Sequence, residues 1–273
     1  MFFLIFLFLL AVAGGSGVYA SDFSDFDYYQ NRGKYTPAHY TISRGLEHYS
    51  IVWYPSNVAE PVYCFVFCLG TGALPEDYTA TAEHLASHGF AAIYVPMRPW
   101  DVTRGLEYCR SGQLASDVPE LSEWVDSSRM GVGGHSGGGP YAVHAASGVS
   151  DVAAIIAQHA ASIPVLNKQS NETMHNLKGA LMVLCGTQDH MPFCDCPRVE
   201  EDYFDRAPLG RVIAKVPDGH ISGACFSEGE QNEAGYITAM LYYTLKLEAE
   251  AEAALREGKN DDDVTVDLHH VEA

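Results

Sequence analysis

A glycine-rich segment around Ser136 has the residue types and spacing of a turn that presents a nucleophile. Gly134, Ser136 and Gly138 form the pattern Gly-x-Ser-x-Gly, between a short apolar run and a helix-like stretch. In a strand-turn-helix setting this spacing strains the serine backbone, and the glycines on either side let the two backbone segments cross. The Ser136 hydroxyl would then project above the sheet. The alternative is a glycine-rich turn without chemistry, whereas a phosphate-binding loop is excluded because no Gly-Lys-Ser/Thr follows.

A serine hydroxyl becomes a good nucleophile only when a base takes its proton and a carboxylate orients that base. Asp189 comes just after the apolar run at 180–185, and His220 comes just after the run at 211–216. We therefore predict Ser136 as nucleophile, His220 as base and Asp189 as the orienting acid. Three other residues compete for these roles: His135, His190 and Asp218, which lies two residues before His220. Of these, His135 and His190 flank the expected positions rather than occupy them.

Two backbone N–H groups are candidates for stabilising an oxyanion. That of Gly137 lies at the predicted start of a helix, where backbone N–H groups are unpaired. The second is expected from the loop after the first buried strand, where Thr71 is our choice and Gly72 the next, although a plain turn would explain the loop equally. Three residues near strand ends are candidates for shaping an acyl pocket, with core or rim packing as the alternative: Tyr141, Gln158 and His159.

The elements that must position these residues alternate between strand and helix. This predicts an α/β fold with a mostly parallel, twisted sheet and helices on both faces. The stretch from 159 to 178 is too short for a large cap domain. Its Asn171-Glu172-Thr173 pattern predicts a glycosylation site in a surface loop, with a chance occurrence of the pattern as the alternative. The predicted strands cover residues 40–43 and 49–54 as a hairpin, then 62–69, 90–95, 129–132, 152–157, 180–185 and 211–216. The predicted helices cover residues 78–88, 114–125, 199–206 and 233–256, with one more beginning just after the serine.

Composition and charge limit the possible partners. The 273 residues suffice for one large domain, and the formal net charge of −19 repels phosphate backbones and anionic lipid headgroups. We predict a monomer that binds no nucleic acid and needs no cofactor or metal. The domain is expected over 21–257, followed by an acidic, disordered tail over 258–273.

The first twenty residues read as a signal peptide, with an apolar core followed by small residues. An uncleaved membrane anchor is the alternative, although the apolar core is short for a bilayer span. We therefore expect a secreted protein without stable membrane association after cleavage.

Seven cysteines agree with an oxidising compartment. We predict two disulfides among the four cysteines in polar surroundings, without a direct bond between Cys194 and Cys196, and buried thiols for the other three. A metal cluster of His190, Cys194 and Cys196 is the alternative, but its spacing matches no familiar zinc pattern. The four cysteines in polar surroundings are Cys109, Cys194, Cys196 and Cys225, and the three in apolar runs are Cys64, Cys68 and Cys185.

Taken together, the glycine-rich loop, the serine turn and the Gly-Thr-x-Asp and Gly-His segments resemble compact, capless α/β-hydrolases, a group that includes bacterial cutinases, polyester hydrolases and chlorophyllases. The resemblance covers about residues 62–221 and includes the chain order Ser, Asp, His. In that group a larger residue often stands where this chain has Gly137, and an aromatic where it has Thr71. Dienelactone hydrolases are similar in size but use cysteine at the position of Ser136.

This resemblance implies hydrolysis of carboxylic esters through an acyl-enzyme, in an open cleft that suits bulky or extended esters. A peptidase with the same triad is one alternative. A non-catalytic binding protein on a hydrolase scaffold is the other, because this fold also serves adhesion when a triad residue is lost.

Overall fold

The computed structural model describes residues 25–42, 49–98, 100–162, 170–208, 210–221, 232–258 and 264–268. Among these residues, nine strands form a single sheet. Its parallel strands carry apolar residues on both faces, and helices cover both faces. The predicted signal peptide and Cys225 lie outside the described residues. The strands are β1 (Thr36–Ile42), β2 (Ser50–Ser56), β3 (Val62–Cys68), β4 (Phe90–Val95), β5 (Val125–His135), β6 (Val152–Gln158), β7 (Ala180–Gly186), β8 (Arg211–Val216) and β9 (Val264–Asp267).

The strands lie in the order β1-β2-β4-β3-β5-β6-β7-β8-β9. The six central strands from β4 to β8 pair in parallel, whereas the β1–β2, β2–β4 and β8–β9 pairs are antiparallel. The predicted hairpin and mostly parallel sheet are therefore confirmed. Parallel pairing brings the carboxyl ends of β3, β5, β6, β7 and β8 to one edge of the sheet, where ligand and active sites of open α/β sheets lie.

Helices cover both faces of the sheet. The helices are α1 (Phe26–Gln30), α2 (Thr79–Ser87), α3 (Asp101–Arg110), α4 (Gln113–Asp117), α5 (Gly138–Ala146), α6 (Asn171–His175), α7 (Cys196–Val199), α8 (Asn232–Leu241) and α9 (Glu250–Glu257). Successive residues of β3 point to opposite sides. Phe65 and Phe67 contribute to the core beneath α1, α2, α8 and α9, whereas Val66 and Cys68 contribute to the core beneath α3, α5, α6 and α7.

Two helix predictions are wrong. In place of one helix over 114–125, α4 ends at Asp117 and a 3-10 turn follows at Pro119–Leu121, because proline cannot continue a helix interior. The predicted helix over 233–256 is broken after α8 by a π-helical turn, Tyr242–Lys246, and by Leu247, which adopts the left-handed conformation with φ 60°.

The acidic tail is partly structured. Residues Val264–Asp267 form β9, which pairs antiparallel with β8 at the edge of the sheet. The expectation of a disordered tail therefore does not hold for these four residues. Three consecutive β-branched residues, Val264, Thr265 and Val266, favour a strand here despite the acidic residues before them.

The predicted disulfide pairing is wrong, although two disulfides are present in the part of the chain that the structure describes. They join Cys64 to Cys109 and Cys185 to Cys196. Each links a cysteine on a buried strand to one on the helix packed against it, so the apolar surroundings of the strand cysteines did not make them free thiols. Cys68 and Cys194 are free and buried among the described residues.

Between β6 and β7, the described residues contain one short helix, α6. Asn171 is its first residue and is exposed. The predicted surface position of the glycosylation pattern is therefore found, on a helix rather than in a loop. Within the described part of the chain, no helix combines the length and hydrophobicity needed to cross a bilayer.

Candidate active site

The turn around Ser136 joins the end of β5 to the start of α5 at the carboxyl edge of the sheet. Ser136 has a φ of 54°, a conformation that is strained for any residue but glycine. A Cβ on Gly134 would lie 2.4 Å from the carbonyl oxygen of Gly138, so the two backbone segments are too close for any side chain there. This approach requires glycine at position 134. Glycine at position 138 is required separately, because its Cβ would meet the backbone carbonyls of Cys68 and Leu69.

The backbone of Ser136 is fastened to the end of β6. Its N–H donates to the carbonyl of Gln158 at 3.1 Å, and its carbonyl accepts from the N–H groups of Ala161 and Gly139 at 2.9 and 3.1 Å. These bonds hold the strained residue in one conformation, because each would be lost if φ changed sign.

The structure brings Ser136, His220 and Asp189 into one hydrogen-bonded line. His220 Nε2 lies 2.9 Å from Ser136 Oγ, and His220 Nδ1 lies 2.8 Å from Asp189 Oδ2. Because an ionised carboxylate only accepts hydrogen bonds, Nδ1–H donates to Asp189 and the lone pair of Nε2 is left to accept from the Ser136 hydroxyl. This is the tautomer that a base acting on serine needs.

Asp189 is a buried carboxylate whose oxygens are all partnered. Its Oδ1 accepts from the Met191 N–H at 2.9 Å, and its Oδ2 is shared by His220 and His159, at 2.8 and 3.1 Å. Burial alone would raise the pKa of Asp189, but the hydrogen bonds from the two histidines outweigh burial and the pKa is lowered. Asp189 is therefore ionised at neutral pH.

His159 and Glu233 continue this line below the triad. His159 Nε2 lies 2.8 Å from Glu233 Oε1, and the Gln158 amide donates to Glu233 Oε2 at 2.5 Å. Glu233 is in the first turn of α8, and sequence reasoning missed it because nothing in its local pattern distinguishes it from a surface carboxylate.

Gln158 and His159 therefore do not have the pocket-shaping position that was considered for them. Gln158 is 1% exposed and His159 is fully buried, so neither side chain is accessible to a substrate in this conformation. Tyr141, the third candidate, is on α5, half-buried and packed against the core on that side of the sheet.

His135, a competitor for the base, takes part in a second chain of hydrogen bonds. The Gly70 N–H donates to Tyr78 Oη at 3.0 Å, Tyr78 Oη lies 2.8 Å from His135 Nδ1, and His135 Nε2 lies 2.8 Å from the His220 carbonyl. Burial lowers the pKa of His135 to about 4, so the ring is neutral. Since Nε2 faces a carbonyl, it carries the proton, and Nδ1 accepts from the Tyr78 hydroxyl.

This chain, which we call the Tyr78 chain, comprises Gly70, Tyr78, His135 and His220. It ties the loop after β3 to the backbone of the candidate base. Tyr78 was missed from the sequence because it belongs to a 3-10 turn before α2 and reaches the site only through the packing of that turn.

The candidate oxyanion residues lie side by side. A Cβ on Gly137 would lie 2.7 Å from Thr71 Oγ1 and 2.6 Å from Met97 Sδ, so Thr71 and Met97 occupy the space that a larger residue would need. Gly137 precedes α5, and its N–H is at the positive end of the helix dipole. Gly72, the second choice, is exposed, with a φ of 80°.

Cys194 lies beside the candidate nucleophile instead of in a disulfide. Its thiol interacts with Ser136 by a side-chain hydrogen bond, and burial raises its pKa to about 12. The group is a neutral thiol. His190, another competitor for the base, is exposed, and Asp218 accepts a hydrogen bond at its carbonyl from the Gln188 N–H.

One group of described residues has ligand atoms close enough together for a metal ion: His159, Asp189 and His220. The nitrogens of His159 and His220 that face Asp189 share the one oxygen Oδ2, at hydrogen-bond distance. Protons already link these groups, and a cation would have to displace them. The alternative cluster with His190 loses Cys196, whose sulfur is in a disulfide.

Comparison of the sequence with models of known protein families and with curated proteins found no match. The mixed α/β fold, with its mostly parallel sheet, is compatible with the α/β-hydrolase architecture. The function must therefore be argued from the geometry of the site.

Proposed function

We propose that this protein is a secreted serine hydrolase of the α/β-hydrolase type that cleaves carboxylic esters. The observation that carries the proposal is the line Ser136–His220–Asp189, with the serine on a strained turn at the carboxyl edge of the sheet. A strained backbone costs about 1–3 kcal/mol per residue and persists only where the surrounding structure maintains it, as at active sites. The two disulfides agree with an extracellular protein.

In the proposed reaction, Ser136 Oγ attacks the ester carbonyl while His220 Nε2 takes its proton. Asp189 stabilises the imidazolium that forms, and His220 then donates the proton to the leaving alcohol. Water attacks the acyl-enzyme with His220 again as base. The N–H groups of Gly137 and Thr71 stabilise the oxyanion, a contribution worth about 100-fold or more in rate for one donor.

Exposed apolar side chains near the site favour an apolar substrate. Of the seven large apolar residues that are exposed in the described part of the chain, five lie on segments that follow β3, β4, β7 and β8. These segments border the edge that carries Ser136 and can contact an apolar acyl or alcohol group. The five residues are Leu74, Trp100, Met191, Phe193 and Ile221.

The proposal is tested by labelling the purified mature protein with a fluorophosphonate and locating the adduct by peptide mass spectrometry. Turnover of p-nitrophenyl esters from acetate to decanoate is measured in parallel with peptide substrates. Ser136→Ala should lose labelling and turnover. The matched control is Ser147→Ala, at the other end of α5, which should keep both.

Cleavage of peptides in preference to esters would replace the proposal with a peptidase. A folded protein that neither reacts with the fluorophosphonate nor hydrolyses any ester would indicate a non-catalytic binding protein. The chain-length profile defines the acyl group, and we expect rates to rise beyond acetate because of the apolar border of the site.

A further inference from the structure

His159 has more acceptors around it than a neutral histidine can serve. Its two ring nitrogens face Asp189 Oδ2 at 3.1 Å and Glu233 Oε1 at 2.8 Å, and both partners are carboxylates. A neutral imidazole carries one N–H and one lone pair, so one nitrogen would face a carboxylate lone pair to lone pair. An imidazolium, with two N–H groups, satisfies both contacts.

The groups around His159 stabilise the positive charge of an imidazolium. Glu233 on α8 and Asp189 after β7 are the carboxylates in contact, and the rings of His135 on β5 and His220 after β8 both lie 6.1 Å away, centroid to centroid. Burial alone would lower the pKa of His159, but the two carboxylates outweigh burial and raise it to about 10. The pKa of Glu233 is lowered in turn, although burial opposes this.

The backbone is shaped to hold this ring. His159 has a φ of 42°, so it shares with Ser136 a conformation that is unfavourable for a residue with a Cβ. A Cβ on Gly186 would meet the Asp218 carbonyl oxygen first and would also lie 2.7 Å from His159 Cε1, so the glycine leaves room for both. A buried ion pair also carries a desolvation penalty. The strained backbone and the buried charges together point to a role beyond packing.

We propose that His159 and Glu233 are positioning residues that hold a fixed positive charge behind Asp189, and that this charge sets the pH range in which His220 acts as the base. The inference rests on the proposed function, because His220 must first be the base of Ser136. Glu233 keeps His159 protonated, and His159 holds Asp189 in place. The positive charge of His159 also weakens the electrostatic attraction between Asp189 and a protonated His220.

The size of the effect follows from the geometry. At an effective dielectric constant of about 20, removing a unit charge about 6 Å from a base moves the acid limb of its pH–rate profile by up to about two pH units. Glu233 lies behind His159 and cancels part of this effect, so we expect the measured acid limb to move by about one pH unit. Without the pair, Asp189 would hold the proton on His220 more strongly and the base would be active only at higher pH.

The test compares wild type with the double variant His159→Gln/Glu233→Gln. This change removes both charges of the pair while keeping amides that can hydrogen-bond, so neither His159 nor Glu233 is left as a buried charge without its partner. Asp189 keeps its hydrogen bonds to His220 and the Met191 N–H. The rate of fluorophosphonate labelling of Ser136 is measured against pH. The acid limb should move up by about one pH unit in the double variant.

The matched control is His135→Gln, because His135 is a neutral buried histidine whose ring lies 4.9 Å from that of His220, closer than His159. This control should lower the labelling rate without moving the acid limb. An unchanged acid limb in the folded double variant, or an equal shift in the control, would overturn the proposal.

Nuclear magnetic resonance of ¹⁵N-histidine-labelled protein provides a readout that needs no turnover. In wild type, the ring of His159, assigned through its proximity to Glu233, should carry protons on both nitrogens at pH 8. A neutral His159 at pH 8 overturns the proposal even if the double variant does not fold. Absence of labelling alongside a doubly protonated His159 would refute the proposed function and leave the buried ion pair established.

Discussion

Replacement of Tyr78 by phenylalanine removes one oxygen atom from the centre of the Tyr78 chain. That oxygen accepts from the Gly70 N–H at 3.0 Å and lies 2.8 Å from His135 Nδ1. Tyr78 is 1% exposed, so water cannot readily replace the lost partner. The variant leaves a buried donor on Gly70 and a buried acceptor on His135, while the ring stays in its aromatic cluster.

A buried polar group left without a partner costs about 1–3 kcal/mol. With two such groups, we expect Tyr78→Phe to lower the free energy of unfolding by about 2–6 kcal/mol. The same chain fixes the loop that carries Thr71 and the backbone of His220, so ester hydrolysis should also fall. We expect a loss of about 10-fold in kcat/KM, which corresponds to about 1.4 kcal/mol of transition-state stabilisation and is smaller than the loss of stability.

Urea unfolding and kcat/KM for a p-nitrophenyl ester measure the two effects. Tyr54→Phe is the matched control, since Tyr54 is also buried but its hydroxyl makes a partly buried bond to Glu120, at 3.2 Å. This control should cost about 1 kcal/mol or less and keep full activity. If the two variants were equally stable and equally active, the Tyr78 chain would not be what holds the loop and the base together.

Four further predictions concern the turn, the acid, the disulfides and the buried charge. Gly134→Ala should lower the free energy of unfolding, measured by thermal unfolding, by about 3 kcal/mol, because its Cβ would meet backbone atoms. Gly137→Ala should still fold, because its Cβ would meet only side chains, and the additional change Met97→Ala should relieve its steric strain. Asp189→Asn should lower kcat about 10³–10⁴-fold in steady-state assays, because an amide favours the wrong tautomer of His220; an unchanged kcat would remove Asp189 from the reaction. Reduction of the denatured protein should release four thiols from its two disulfides, counted with a chromogenic reagent, whereas six would reveal a third bond. The pKa of His159 is raised to about 10, so its contribution to stability is complete below about pH 6.5, the value for an unfolded histidine, and is lost as the pH rises through about 10. Chemical unfolding should show the free energy of unfolding of wild type falling between these two pH values, relative to that of His159→Gln/Glu233→Gln. If the free energies of both proteins depended on pH in the same way, His159 would not be charged.

Much of the architecture could be predicted because its causes are local. Short runs of apolar residues indicated all eight strands from β1 to β8, and the alternation of strands with helices indicated the mostly parallel sheet. Helix predictions failed where one residue ended a regular pattern, at Pro119 and at Leu247. The amphipathic helix α3 was missed, and its Cys109 therefore appeared to lie in a loop.

The sequence by itself determined the residues that meet at the candidate site, because Ser136, Asp189 and His220 each follow a strand and parallel strands bring these ends together. The tight turn could also be predicted from the sequence, because only glycine fits at positions 134 and 138. Only the tertiary structure decided which groups lie behind the triad. Glu233 is 74 residues from its partner His159 in the chain, and Tyr78 is 57 from His135. Short-range patterns report backbone conformation and burial, whereas pairing across such separations depends on which helix packs against which strand end, a property of the assembled core.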